Sequence, residues 1–200
     1  MKETVKRQIE TIIQTHKTMV AKLEAGGIEA IAAAAEAIER ALKTNGRIYI
    51  CGNGGSAADA QHIAGELVGR FQRERKALPA MALTTDTSAI TSISNDYGYE
   101  TVFARQVEAF VEEGDILWAV STSGASANII AAVKSAKAKG ASVLAFTGKP
   151  DSPLERMADI CFCADSESTA RSQEIHQLAY HIICDLVEQG FCKNKTQKQA

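Results

Sequence analysis

Side chains able to share one reaction gather at two corners of this 200-residue sequence. The first is Cys51-Gly52-Asn53-Gly54-Gly55-Ser56, continuing through Ala57-Ala58-Asp59-Ala60-Gln61-His62-Ile63-Ala64-Gly65-Glu66. A glycine turn between an apolar run and a helix leaves backbone N–H groups free to meet an anion. The helix N-terminus adds its partial positive charge. His62 and Glu66 form an i,i+4 pair on one helix face. Such a pair can reach one metal ion, act as acid and base, or simply meet on the surface. The second corner is Ser121-Thr122-Ser123-Gly124-Ala125-Ser126, again between an apolar run and a helix. Hydroxyls, backbone N–H groups and a helix dipole favour a dianionic phosphate. A plain helix cap would need one of these hydroxyls, and here there are four. Together the corners point to chemistry on a phosphorylated small molecule.

Two other glycine-loop chemistries compare poorly. No lysine follows in the Gly-x-x-x-x-Gly-Lys pattern, which argues against nucleoside triphosphate hydrolysis. Gly52-x-Gly54-x-x-Ala57 satisfies a loose dinucleotide fingerprint, and Asp86 is an acidic residue beyond the next apolar run. It falls 32 positions after Gly54, whereas that motif expects about 20. A dinucleotide fold also gives no reason for His62, Glu66 or the hydroxyl loop. Gln173, His176 and His181 share the last helical segment. Gln173 and His181 are eight apart, about 12 Å along a helix and about 80° around it. Spacing alone therefore predicts no common ligand. His16 has no partner in sequence and reads as structural.

The elements that must position these groups follow from periodicity. Val5, Ile9, Ile12, Ile13, Val20 and Leu23 recur at helical spacing until Gly26-Gly27. An alanine-rich helix from about Ile28 to Leu42 stops at Asn45-Gly46. The rhythm then becomes short apolar runs alternating with helices. The runs are Arg47–Cys51, Pro79–Thr84, Ile116–Val120, Ser142–Phe146 and Ile160–Cys163. The helices are Ala57–Phe71, Tyr99–Val111, Ala127–Lys139 and Thr169–Glu188. This alternation predicts an α/β fold, a parallel sheet covered on both faces. Residues 1–200 form a single domain in this reading, with 1–45 a helical pair added in front. Both corners fall at the carboxyl ends of strands, where open parallel sheets bind ligands, so one shared pocket is expected.

Bulk composition bounds the rest. Apolar residues make up 46% and charged residues 23%, the balance of a soluble globular chain. A net charge of −2 leaves no electrostatic footprint for nucleic acid or an anionic membrane. No apolar run is long enough for a bilayer, and Met1-Lys2-Glu3 opens a polar helix rather than a signal peptide. The five cysteines lack framework spacing and read as reduced thiols, which predicts a cytoplasmic protein. Cys161 and Cys163 alternate along one strand and are expected to be buried structural thiols. The N-terminal helix invites self-association, since most soluble oligomers are symmetric assemblies of one chain. The polar stretch 193–200 reads as a frayed tail.

The motifs, taken in order, resemble the sedoheptulose-7-phosphate isomerases (phosphoheptose isomerases). These motifs are the Gly-Asn-Gly-Gly-Ser corner, His62 with Glu66, Leu67-Val68-Gly69-Arg70-Phe71, Ser94-Asn95-Asp96-Tyr97-Gly98, Ser121-Thr122-Ser123-Gly124 with Ser126, and Ala170-Arg171-Ser172-Gln173-Glu174-Ile175-His176. The resemblance covers nearly the whole chain. It implies a sugar-isomerase (SIS) fold, a five-stranded parallel sheet between helices, assembled as a homotetramer. It implies conversion of sedoheptulose 7-phosphate to D-glycero-D-manno-heptose 7-phosphate, a precursor of surface heptoses. It implies one zinc ion per subunit at His62, Glu66, Gln173 and His181, with Glu66 and His181 as the acid/base pair. Substrate contacts are implied at Asn53, Gly54, Gly55, Ser56, Glu66, Arg70, Asn95, Asp96, Ser121, Thr122, Ser123, Ser126 and Gln173. Ser172 departs from the pattern, standing where an apolar residue is expected. A related branch, the DnaA initiator-associating proteins, shares the fold as binding modules. That branch lacks counterparts of Glu66 and His181, and this chain has both.

Overall fold

The computed structural model describes residues 3–192. Two helices, α1 (Glu3–Gly26) and α2 (Ile28–Lys43), precede β1 (Ile48–Gly52). Then follow α3 (Gly55–Val68), β2 (Ala80–Ala82), α4 (Thr87–Tyr97), a 3₁₀ turn (Tyr99–Thr101) and α5 (Val102–Phe110). The chain continues through β3 (Ile116–Ser121), α6 (Ala127–Ala138), β4 (Ser142–Thr147), α7 (Pro153–Met157), β5 (Ile160–Cys163) and α8 (Thr169–Phe191). The five strands form one sheet in the order β2-β1-β3-β4-β5, and every pairing is parallel.

The central strands are apolar throughout because both faces are covered. Ile48, Ile50, Trp118, Val120, Leu144 and Phe146 face a core shared with α2, α3 and α8. The intervening residues Tyr49, Cys51, Leu117, Ala119, Val143 and Ala145 face α5, α6 and α7. Successive side chains of a strand point to opposite faces, which divides these two sets. Strand order reverses direction between β1 and β3, whose register sets Gly52 beside Val120. The crevice outside the ends of these two strands is the switch point at which such sheets bind ligands.

Several expected boundaries differ. β2 is three residues rather than Pro79–Thr84. Proline lacks an N–H for the ladder, and the Thr85 hydroxyl donates to the Ala82 carbonyl where the chain turns away. α3 ends at Val68 rather than Phe71, because Gly69 caps it. The next backbone N–H groups, those of Phe71, Gln72 and Arg73, are taken by Glu188. α4 lies in a Ser/Thr-rich stretch with weak helix propensity. Asp86 caps it through the Ala89 N–H, and the Thr91 hydroxyl folds back to the Thr87 carbonyl. α7 is also new, a Ser-Pro-x-Glu start with Ser152 as cap and Pro153 in the first turn. Cys161 and Cys163 on edge strand β5 are only half-buried. All five cysteines are free. The stretch 193–200 lies outside the described residues.

Candidate active site

The two corners meet in one cavity of about 290 Å³. Asn53, Gly54, Gly55 and Ser56 line it from the first corner, Ser121, Thr122, Ser123 and Ser126 from the second, and Thr169 and Gln173 from α8. Gly54 carries φ +56, a left-handed turn that a side chain would strain. This turn swings the chain from β1 into the first turn of α3. Gly55 matters for a different reason: a Cβ there would meet the Gln173 amide, which would have to move from its present place. The hydroxyls converge, with Ser121 Oγ 3.4 Å from Ser123 Oγ and 3.3 Å from Ser126 Oγ. Ser126 heads α6 yet makes no side-chain capping bond. Its hydroxyl therefore belongs to the cavity rather than to the helix end.

The two corners are tied to each other. Asn53 and Asn128 exchange reciprocal amide hydrogen bonds, each at 2.9 Å, and the Tyr99 hydroxyl donates to Asn53 Oδ1 at 3.0 Å. Asn128 and Thr169 carried no sequence signal. The Asn128 role needs a partner 75 positions away. Asp86, the acidic residue of the dinucleotide reading, spends its carboxylate on the α4 cap.

Further along α3 and α8 lies a second group. His62 Nε2 is 3.0 Å from Glu66 Oε1, and His181 Nε2 is 3.4 Å from His62 Nε2. Ligand atoms of His62, Glu66 and His181 all lie within 4.8 Å of one another. Two imidazoles and a carboxylate at this separation are a chemically reasonable set for a divalent metal ion. The Tyr180 hydroxyl and His62 Nδ1 are 2.9 Å apart. With Nδ1–H donated to that hydroxyl, Nε2 keeps the lone pair a metal requires. Burial pushes the Asp59 carboxyl up to about 6, against the opposing pull of His62 and Tyr180. Burial and neighbouring His62 lower the His181 pKa, against Glu66. His181 is thus favoured as a neutral imidazole, able to accept a proton or bind an ion.

The structure brings together most of the expected residues but not all. Gln173 stands in the cavity, with its amide against Gly55. Arg70 is exposed beyond the end of α3. Asn95 and Asp96 are exposed near the end of α4, where the Asn95 amide donates to Asp96 at 2.8 Å. These three do not line the cavity of their own chain. His16 pairs with Glu174 at 2.8 Å, a structural link between α1 and α8.

A SIS-domain family model matches residues 2–148. A phosphoheptose isomerase of Roseiflexus sp. (strain RS-1) is 53% identical over 158 residues, 79% of this chain and 80% of that protein. One from Clostridium acetobutylicum is 45% identical over 198 residues, 99% of this chain and all of that protein. Among solved structures, a phosphoheptose isomerase from Neisseria gonorrhoeae superposes with a TM-score of 0.87 at 40% identity. It covers 92% of this chain and 99% of that one. One from Francisella tularensis gives 0.89 at 36% identity, covering 94% and 100%.

Proposed function

This chain belongs to the phosphoheptose isomerases of the SIS-domain family, and from that premise we propose how its residues convert sedoheptulose 7-phosphate to D-glycero-D-manno-heptose 7-phosphate. One observation carries the assignment of roles. The hydroxyl-lined cavity and the His62–Glu66–His181 group are joined by the same two helices, α3 and α8. Gln173 and His181 are separated by about 12 Å along α8, on the order of an extended sugar phosphate of this size.

The Ser121–Ser126 loop and the Asn53–Ser56 turn hold the 7-phosphate. Binding energy at this remote end orients the reacting carbons. Glu66 removes a proton from C1, giving the enediolate, and neutral His181 takes the proton of the C1 hydroxyl and passes it to the C2 oxygen. Glu66 then returns its proton to C2, leaving the aldose. His62, Glu66 and His181 would hold one zinc ion, while Gln173, the further ligand implied by family resemblance, stands two turns away in the hydroxyl cavity. That ion supplies Lewis-acid polarisation of the carbonyl when bound. Self-association into a tetramer is part of the proposal, supported by the exposed Val5, Ile9, Ile12 and Ile13 along α1. Reduced thiols support a cytoplasmic setting.

The test is turnover of sedoheptulose 7-phosphate by the purified chain with and without a chelator. Glu66→Gln and His181→Gln should each lower kcat by about 10²–10⁴-fold with the fold retained, the scale of a lost general acid or base. Near-normal turnover in either variant removes the role assigned to it. Equal activity after complete metal removal removes the metal.

A further inference from the structure

Glu188 is a carboxylate with no exposed surface, two turns beyond His181 on α8. A buried charge persists only when it is paired and hydrogen-bonded. Here it accepts the backbone N–H groups of Phe71 and Gln72 at 2.8 Å and of Arg73 at 2.7 Å. Arg75, whose side chain is 1% exposed, places Nε 3.4 Å from Glu188 Oε1, an ion pair without hydrogen-bond geometry. Burial raises the Glu188 pKa, but the three N–H donors and Arg75 outweigh it and hold the carboxyl below its ordinary range.

The Arg75 guanidinium reaches on to the end of α3. Nη2 donates to the Glu66 carbonyl at 2.7 Å, and Nη1 to the carbonyls of Leu67 at 2.8 Å and Gly69 at 3.1 Å. A cation there satisfies the helix's orphan carbonyls and meets the negative end of its dipole. Phe71, whose N–H Glu188 holds, packs its ring against His181 with centroids 5.5 Å apart. One buried pair thus touches the backbone of Glu66 and the backbone of Phe71, whose ring flanks His181, and its carboxylate sits on the helix that carries His181.

We propose that Glu188 and Arg75 are positioning residues for the isomerisation: they fix the end of α3 and the Phe71 turn so that Glu66 and His181 keep their mutual geometry. This rests on the catalytic roles proposed above for Glu66 and His181. The pair touches neither cavity nor substrate and acts through those two residues.

The test variant is Glu188→Gln, with Arg75→Lys as the second should the first fail to fold. Each is read by steady-state kinetics on sedoheptulose 7-phosphate, by affinity for inorganic phosphate, and by the ring-proton NMR resonance of His181. The resonance is assigned by its loss in His181→Gln. The expected result is a fall in kcat approaching about 10²-fold, the cost of a displacement near 1 Å. KM and phosphate affinity should stay within about twofold, and the His181 resonance should shift as the Phe71 ring moves. Glu188→Asp should recover part of kcat. An unchanged kcat and resonance in a folded variant overturns the proposal. So does a loss of phosphate affinity equal to the loss in kcat, which would mark general loosening. Should the unmodified chain not turn over the sugar at all, the catalytic reading fails, and the His181 resonance alone decides the clamp.

Discussion

Ser126 stands at the head of α6 without capping it, and Ser121 lies within 3.3 Å of its hydroxyl. Both are therefore poised for an external anion. Ser121→Ala should raise KM for the phosphorylated sugar about tenfold or more with a smaller change in kcat, the loss of one hydrogen bond to a charged group. Steady-state kinetics checks this, and an unchanged KM moves the anchor elsewhere. His176 makes a different prediction. It is fully buried among Phe146 and Phe162, with Nε2 2.9 Å from the Thr147 carbonyl. Burial lowers its pKa from 6.5 to about 4, against the raising effect of that bond. The unfolded chain takes up a proton that the folded chain refuses. The neutral ring therefore costs no stability above about pH 6.5. As pH falls from there toward about 4 stability is lost, up to about 3 kcal/mol for a shift of this size. Urea unfolding across that range should show the slope, and His176→Gln should flatten it.

At the scale of elements, much of the site was legible because its signals are local. A glycine turn after an apolar run, an i,i+4 pair and a run of hydroxyls all declare themselves within a few residues. What stayed hidden depends on distant partners. The Tyr180 contact with His62 joins residues 118 positions apart, and Glu188 reaches back to a turn that no periodicity marks. α4 was missed because its serines and threonines favour alternatives to helix until Asp86 caps it. Gly55 carries a testable consequence of packing between elements. Gly55→Ala places a methyl against the Gln173 amide, so that amide must swing out of its place in the cavity or α3 and α8 must part there. The expected outcome is a raised KM with a lowered melting temperature, read by kinetics and thermal unfolding. Unchanged values in both would show that Gln173 has room to retreat.

Across the whole molecule, several large apolar side chains lie exposed outside the two cores. Val5, Ile9, Ile12 and Ile13 lie exposed along α1. Tyr97 and Tyr99 lie exposed beside Asn95 and Asp96, which do not reach the chain's own cavity. No residue of α4 is buried. Contiguous apolar surface of this kind is ordinarily covered by association. Light scattering should report a species of four chains, and Ile9→Glu with Ile12→Glu should shift it to smaller species. A monomeric unmodified chain would remove the assembly proposed. One last consequence follows from α3 and α8 each running from the phosphate cavity to the reactive triplet. The two ends of the pocket are joined by rigid rods, so the gap between them is set by the protein rather than by its guest. A ketose phosphate one carbon shorter should dock by its tail almost as well, yet present its carbonyl short of the triplet. Chain-length discrimination should thus show up in turnover number more than in apparent affinity.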